Sequence, residues 1–142
     1  MKEHSFITEE HKQACVAAIQ ALVAFPSVLQ EHQTSTPFGQ AIQDVLEYTL
    51  SMAEKLGFST YLDPEGYYGY AQIGQGDELL AILCHLDVVP AGDLSNWETP
   101  PFEVTIKMTI WLAEGFKVIR GLPWQLYHFQ MIIYLYHTLL DK

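Results

Sequence analysis

Two residues that could do chemistry together lie in the stretch ILCHLDVVPAGD, near the middle of the chain. His85 and Asp87 are two positions apart and follow an apolar run. A neutral imidazole is a common zinc ligand, and its second ring nitrogen is usually held by a carboxylate or a carbonyl, which fixes the tautomer and the ring orientation. On spacing alone, a turn with local hydrogen bonds explains the pair more simply. The pair by itself therefore does not establish a metal site.

Two helices are predicted ahead of this pair. Apolar side chains recur at helical spacing over residues 8–25, and Pro26 ends that segment. A second helix is predicted to begin with Ser35 or Thr36 as its N-cap and to end near Gly57. The apolar face predicted for the second helix consists of Ile42, Val45, Leu46, Thr49, Met52, Ala53 and Leu56.

Three strands are predicted after the helices, which gives an α/β or α+β fold. The segments 58–62 and 67–73 have strand composition and flank the turn sequence DPEG. The apolar run 79–84, LLAILC, is typical of a strand that is covered on both faces. His85 and Asp87 then lie just beyond the carboxyl end of that strand, where open α/β sheets bind their ligands.

Length, charge and cysteine content narrow the class of protein further. At 142 residues the chain is expected to form one domain. A net charge of -10 with only seven Lys and Arg argues against nucleic-acid partners, which require cationic side chains. Cys15 and Cys84 show no pairing pattern, and the polar start of the chain lacks the apolar core of a signal peptide, so we expect a cytoplasmic protein.

The apolar segment 124–140 is shorter than the roughly 20 residues of a membrane helix, so we expect no membrane insertion.

A longer pattern around the pair favours the metal interpretation. HLDVVPAGD followed by W-E-T-P-P-F-E resembles the dinuclear-zinc metallopeptidase family of aminoacylase, succinyl-diaminopimelate desuccinylase, carnosinase and bacterial dipeptidases, most closely the dipeptidase branch. The resemblance extends upstream through TPFGQAI, KLGF and DPEGYYGYAQIG, and covers nearly all of residues 8–106. It implies the amino-terminal part of a zinc-exopeptidase-like α/β catalytic domain that hydrolyses dipeptides or N-acyl amino acids with two zinc ions. His85 is implied as a zinc ligand, and Asp87 as a catalytic residue that orients the site.

The resemblance also implies ligands that this chain lacks. The family places a bridging Asp in a G-R-G-x-x-D-D-K-G segment soon after P-P-F, then a Glu-Glu pair, a further acid and a distant His. The sequence after Ile106 contains neither D-D-K-G nor a Glu-Glu pair. We therefore expect residues 1–106 to be a partial catalytic domain with at most one partial zinc site, and the chain alone to be an inactive, truncated enzyme.

We hypothesise that a lost base accounts for the place where the pattern stops. Residues 107–125 can be back-translated and each codon then read from its third base. This frame permits the segment G-R-G-V-Q-x-D-K-G-P-T. At the position of the first Asp of D-D-K-G, however, it permits only Gly or Ser. Residues 107–142 are therefore predicted to be an out-of-frame, non-family tail. The alternative is a non-catalytic binding or assembly module that uses this apolar tail against a partner or a membrane surface. Self-association through the tail is a further expectation.

Overall fold

The computed structural model describes residues 8–30, 36–107 and 110–112. Two helices precede all of the described strands, and the strands form only two-stranded sheets, so the predicted α/β class with an incomplete sheet is confirmed. Most of the predicted tail, 113–142, lies outside the described residues. The elements in chain order are α1 Glu9–Val23, α2 Gln40–Lys55, β1 Ser59–Leu62, β2 Gly69–Gln72, a 3₁₀ turn Leu94–Asn96, β3 Thr105–Lys107 and β4 Ile110–Leu112.

Helix α1 follows its prediction closely. Thr8 caps its first turn by accepting a hydrogen bond from the His11 backbone N–H at 3.2 Å, and the His11 ring accepts one from the Thr8 N–H at 3.2 Å. This reciprocal arrangement satisfies two N–H groups that a helix start otherwise leaves unpaired. Cys15 and Ile19 are buried, as their helical spacing predicted, and the helix ends at Val23, shortly before the proline.

Helix α2 begins later than predicted. Its first residue is Gln40 and its N-cap is Gly39. The prediction of Ser35 or Thr36 as the N-cap is therefore wrong; Ser35 lies outside the described residues. The preceding chain is held in another conformation, because the Phe38 carbonyl accepts a hydrogen bond from the Gln30 N–H at 3.0 Å. This bond joins the residues just before α2 to the segment that follows α1. The sequence pattern did not indicate it.

The buried side of α2 packs on the hairpin formed by β1 and β2. Val45 is 2% exposed and Leu50 is 9% exposed. Leu50 was missed by the predicted face; it lies over Gly69 of β2, where a Cβ would come within 2.8 Å of the leucine Cδ1. Leu56, predicted on the buried face, is 44% exposed because it follows the last helical residue. Gly57, at φ +89°, ends the helix as predicted.

The first two predicted strands are confirmed as an antiparallel hairpin. β1 and β2 pair along their whole length, with Ser59 opposite Gln72 and Leu62 opposite Gly69. The DPEG sequence forms the turn, and the Gly66 N–H donates to the carbonyl of the turn's first residue, Asp63, at 2.9 Å. The hairpin therefore follows from local turn chemistry and strand composition.

The third predicted strand is absent from the described structure. Residues 79–84 belong to no strand, and all three of their leucines lie largely in solvent, with exposures of 88% for Leu79, 71% for Leu80 and 95% for Leu83. A strand covered on both faces requires neighbours that pair with its backbone and bury its side chains, and the described parts of the chain provide none for this run. The prediction of a buried strand here is wrong for this chain.

A second small sheet lies after the candidate site. β3 pairs antiparallel with β4, with Ile106 opposite Trp111. The predicted border between family-like sequence and tail, at residue 106, therefore falls inside β3. No helix in the described ranges is both long and apolar enough to cross a membrane.

Candidate functional site

The structure brings His85 and Asp87 into direct contact. The imidazole Nδ1 lies 3.1 Å from the Asp87 carbonyl oxygen and 3.2 Å from the Asp87 Oδ1. Both oxygens are acceptors, so in the neutral ring the proton belongs on Nδ1, where it can be donated to them. The lone pair of the ring is then on Nε2. The pair thus has the arrangement in which a carboxylate fixes the tautomer of a metal-ligating histidine.

Both side chains are open to water. His85 is 73% exposed and Asp87 is 57% exposed. Water competes for both groups at such exposure, so the contact between them is weak unless the backbone holds the two residues in place. What positions the backbone is therefore decisive for the site.

The backbone around the pair is anchored by Ser27, which lies in the segment that follows α1. The Ser27 hydroxyl donates to the Leu86 carbonyl at 2.8 Å, and the Ser27 carbonyl accepts from the Val88 N–H at 3.0 Å. Val28 and Val88 form an isolated parallel β-bridge at the same place. Ser27 is 2% exposed and is the buried polar residue of the described chain. Its sequence context gave no indication of this role, because spacing alone cannot reveal a contact across 59 positions.

The loop after the pair is held by its own hydrogen bonds. The Trp97 indole Nε1–H donates to the Ala91 carbonyl at 2.9 Å. The Asp93 carboxylate accepts from the Ser95 N–H at 2.9 Å and caps the short 3₁₀ turn. This backbone hydrogen bond to Ser95 lowers the pKa of the Asp93 carboxyl, because it stabilises the charged form. Residues 91–97, at the end of the H-L-D-V-V-P-A-G-D pattern and just after it, therefore form a locally ordered loop.

A zinc centre would need more donors than this part of the chain gathers. Structural and catalytic zinc sites take three or four protein ligands. Within the ranges that the structure describes, no three His, Cys, Asp or Glu side chains come together in a way that could hold a metal ion. Cys84, next to His85 in sequence, is exposed. The described residues therefore fit one ligand position with its orienting carboxylate, and they do not fit a complete zinc centre.

Comparison with curated proteins identifies the group that the chain is similar to. A protein of Staphylococcus haemolyticus named "Putative dipeptidase" is 33% identical over 109 residues, which is 75% of this chain. Proteins of the same name from Staphylococcus aureus strains USA300 and NCTC 8325 are 32% identical over 109 residues. The chain is similar to dipeptidases. It spans 23% of the length of these relatives.

This similarity agrees with the dipeptidase branch that the H-L-D-V-V-P-A-G-D pattern predicted. No protein-family model matches the chain. The dinuclear zinc chemistry and the roles of His85 and Asp87 stay predictions.

Proposed function

We propose that the chain is part of a dipeptidase-type metallohydrolase in which His85 supplies one zinc ligand through Nε2. The observation that carries this proposal is the contact of the His85 Nδ1 with both the carbonyl and the carboxylate of Asp87, at 3.1 and 3.2 Å. The similarity over 109 residues to proteins named as dipeptidases supports a peptide as the substrate. Dipeptides or N-acyl amino acids are the substrates that the family resemblance implies.

Asp87 is the residue that prepares His85 for this role. A carboxylate on Nδ1 fixes the tautomer and makes Nε2 a stronger donor to a metal ion. Because the described residues fit one ligand position and no complete centre, we assign to them the holding and orienting of one ligand, and no step of hydrolysis.

Binding of Zn²⁺ to the purified 142-residue chain tests the ligand assignment. The His85→Gln variant is expected to lose the site, and Asp87→Ala to weaken it by about tenfold, the size of effect seen when the carboxylate partner of a ligating histidine is removed. His32→Gln, which alters a histidine outside the described residues, is the matched control for adventitious binding. Equal affinity for Zn²⁺ in wild type and His85→Gln would show that His85 is not a ligand.

We also propose that this chain alone does not hydrolyse dipeptides. The sequence after Ile106 contains neither the D-D-K-G segment nor the later Glu-Glu pair that the family resemblance calls for. The assay is release of free amino acids from a dipeptide series with added Zn²⁺. Zinc-dependent turnover that disappears in His85→Gln would contradict the proposal.

A second candidate function is self-assembly, and the exposed apolar run 79–84 favours it. Leu79 and Leu83 are 88% and 95% exposed, and the run lies in no described sheet. Exposed apolar patches on extended chain are sites of association with further strands. Light scattering should then show dimers or larger species that Leu83→Glu disrupts. Leu94→Glu, at another exposed leucine, is the control, and a monomeric wild type would exclude this candidate.

A further inference from the structure

We propose that Ser27 is a positioning residue of the candidate site. It holds the Leu86–Val88 backbone so that the Asp87 carboxylate stays against the His85 imidazole. The inference rests on the proposed function, because a fixed imidazole matters only where the ring acts as a ligand. Ser27 lies outside the pattern that pointed to the site, and it acts through the backbone on either side of Asp87.

Two hydrogen bonds to Ser27 lie on either side of Asp87. The Ser27 hydroxyl donates to the Leu86 carbonyl at 2.8 Å, and the Val88 N–H donates to the Ser27 carbonyl at 3.0 Å. Leu86 and Val88 are half-buried, whereas His85 and Asp87 are exposed. This alternation is that of an extended strand, in which residues two apart lie on the same side. The bonds to Ser27 therefore fix which side of the segment carries His85 and Asp87, and keep the two side by side.

Ser27 lies in the segment that follows α1, and this segment is shaped by local backbone hydrogen bonds. Its N–H donates to the Phe25 carbonyl at 2.8 Å, and the next N–H, of Val28, donates to the Pro26 carbonyl at 2.7 Å. At 2% exposure, its hydroxyl and carbonyl have little access to water, so their bonds to the Leu86–Val88 backbone meet little competition. The segment after α1, with its buried serine, is thus joined to the site segment by hydrogen bonds.

Serine suits this position better than its nearest substitutes. Its hydroxyl donates to the Leu86 carbonyl, and alanine would leave that half-buried residue without this bond. The Ser27 carbonyl bond to Val88 would survive such a change, so Ser27→Ala should loosen the segment without dismantling the fold. The first consequence should be a freer His85 ring.

The test is the tautomer of the neutral His85 ring, measured from its imidazole ¹⁵N shifts at about pH 8.5, well above the ordinary imidazole pKa. The His85→Gln spectrum assigns the signal among the six histidines. In the wild type the form with the proton on Nδ1 should predominate. In Ser27→Ala the form with the proton on Nε2 should become the major one, and amide exchange at Val88 should accelerate by at least about fivefold.

Ile19→Val is the control for general destabilisation. Ile19 is buried in α1 at 5% exposure and makes no contact with the site through hydrogen bonds, so its truncation should leave the His85 tautomer unchanged. An unchanged tautomer in Ser27→Ala, or the same change in Ile19→Val, would overturn the proposal. If Ser27→Ala does not fold, Ser27→Cys, with nearly the same shape and a weaker donor, takes its place under the same criteria.

The tautomer and exchange measurements need no metal, so they separate this inference from the proposed function. If the wild type binds no Zn²⁺ but Ser27→Ala shifts the tautomer, the ligand assignment fails and the positioning role stands. If Zn²⁺ binds at His85 and Ser27→Ala leaves the tautomer unchanged, the ligand assignment stands and the positioning role fails.

Discussion

Ser27 and Leu86 are 59 positions apart in the chain, and the serine hydroxyl donates to the leucine carbonyl at 2.8 Å. This bond joins the segment after the first helix to the segment that carries His85 and Asp87. The site segment is therefore positioned by a distant part of the chain, although its own strand-like run, 79–84, has no partner within the described structure.

The core between α2 and the hairpin gives a test of the fold. Leu50→Ala should lower the free energy of unfolding by about 2–5 kcal/mol, because it removes a buried side chain that packs over Gly69 and leaves a cavity. Leu56→Ala is the matched control, since Leu56 is 44% exposed and its truncation should cost well under about 1.5 kcal/mol. Urea denaturation of both variants measures the difference. Equal losses would contradict the observed packing of α2.

The two cysteines should differ in reactivity. Cys84 is exposed, whereas Cys15 is buried in α1 and its burial raises the pKa of the thiol. A thiol-reactive dye at neutral pH should therefore label Cys84 quickly and Cys15 only as the chain unfolds. Single variants Cys15→Ala and Cys84→Ala assign the two phases. Rapid labelling of Cys15 in the folded chain would show that the amino-terminal helix is not packed as described.

The raised pKa of Cys15 also predicts the direction of a pH effect. The folded state binds the thiol proton more tightly than the unfolded state, so the contribution of Cys15 to stability is fully present below the ordinary thiol pKa. It is lost as the pH rises from there through the raised pKa of the folded state. Denaturation midpoints measured across this alkaline range should fall more for the wild type than for Cys15→Ala.

Asp93 should titrate below the ordinary carboxyl range, because the Ser95 N–H donates to it. The folded state binds this proton less tightly than the unfolded state, so the capping contribution is present above the ordinary carboxyl pKa and is lost as the pH falls through the lowered one. Carboxyl ¹³C NMR follows the titration. Ser95→Pro removes the donor and should return the pKa of Asp93 toward its ordinary value; no change would exclude the capping bond as the cause.

The reading-frame hypothesis has a direct genetic test. We expect the nucleotide sequence downstream of codon 104 to contain, in another frame, the G-R-G-V-Q-x-D-K-G-P-T segment and then the remaining family motifs. If no frame encodes those motifs, residues 107–142 are not explained by a lost base.

Local chemistry determined which elements could be predicted from sequence. The DPEG turn of the hairpin depends on residues only a few positions apart, and it was predicted. The cap of α1 at Thr8 is equally local, but it was not among the predictions. The start of α2 was misplaced, because a bond between Gln30 and Phe38 overrides the capping pattern at Thr36. Sequence patterns indicate interactions between neighbouring residues, but they do not indicate those that join separate segments.

The candidate site shows the same division. The proximity of His85 and Asp87 follows from their two-residue spacing in extended chain, so sequence predicted it. The anchoring by Ser27 depends on how the end of α1 meets residues 86–88, and nothing in the local sequence signals it. The predicted burial of residues 79–84 failed because composition shows that a run is apolar, but not whether a neighbour exists to cover it.

The most direct test of the central claim is the imidazole ¹⁵N spectrum of His85 during addition of Zn²⁺ to the full chain. We expect the Nε2 signal of His85 to shift on metal binding while Nδ1 keeps its proton, held by Asp87. Asp87→Ala should require about tenfold more Zn²⁺ for the same shift. Zn²⁺ that leaves the His85 signals unmoved while it shifts those of the other histidines would contradict the account.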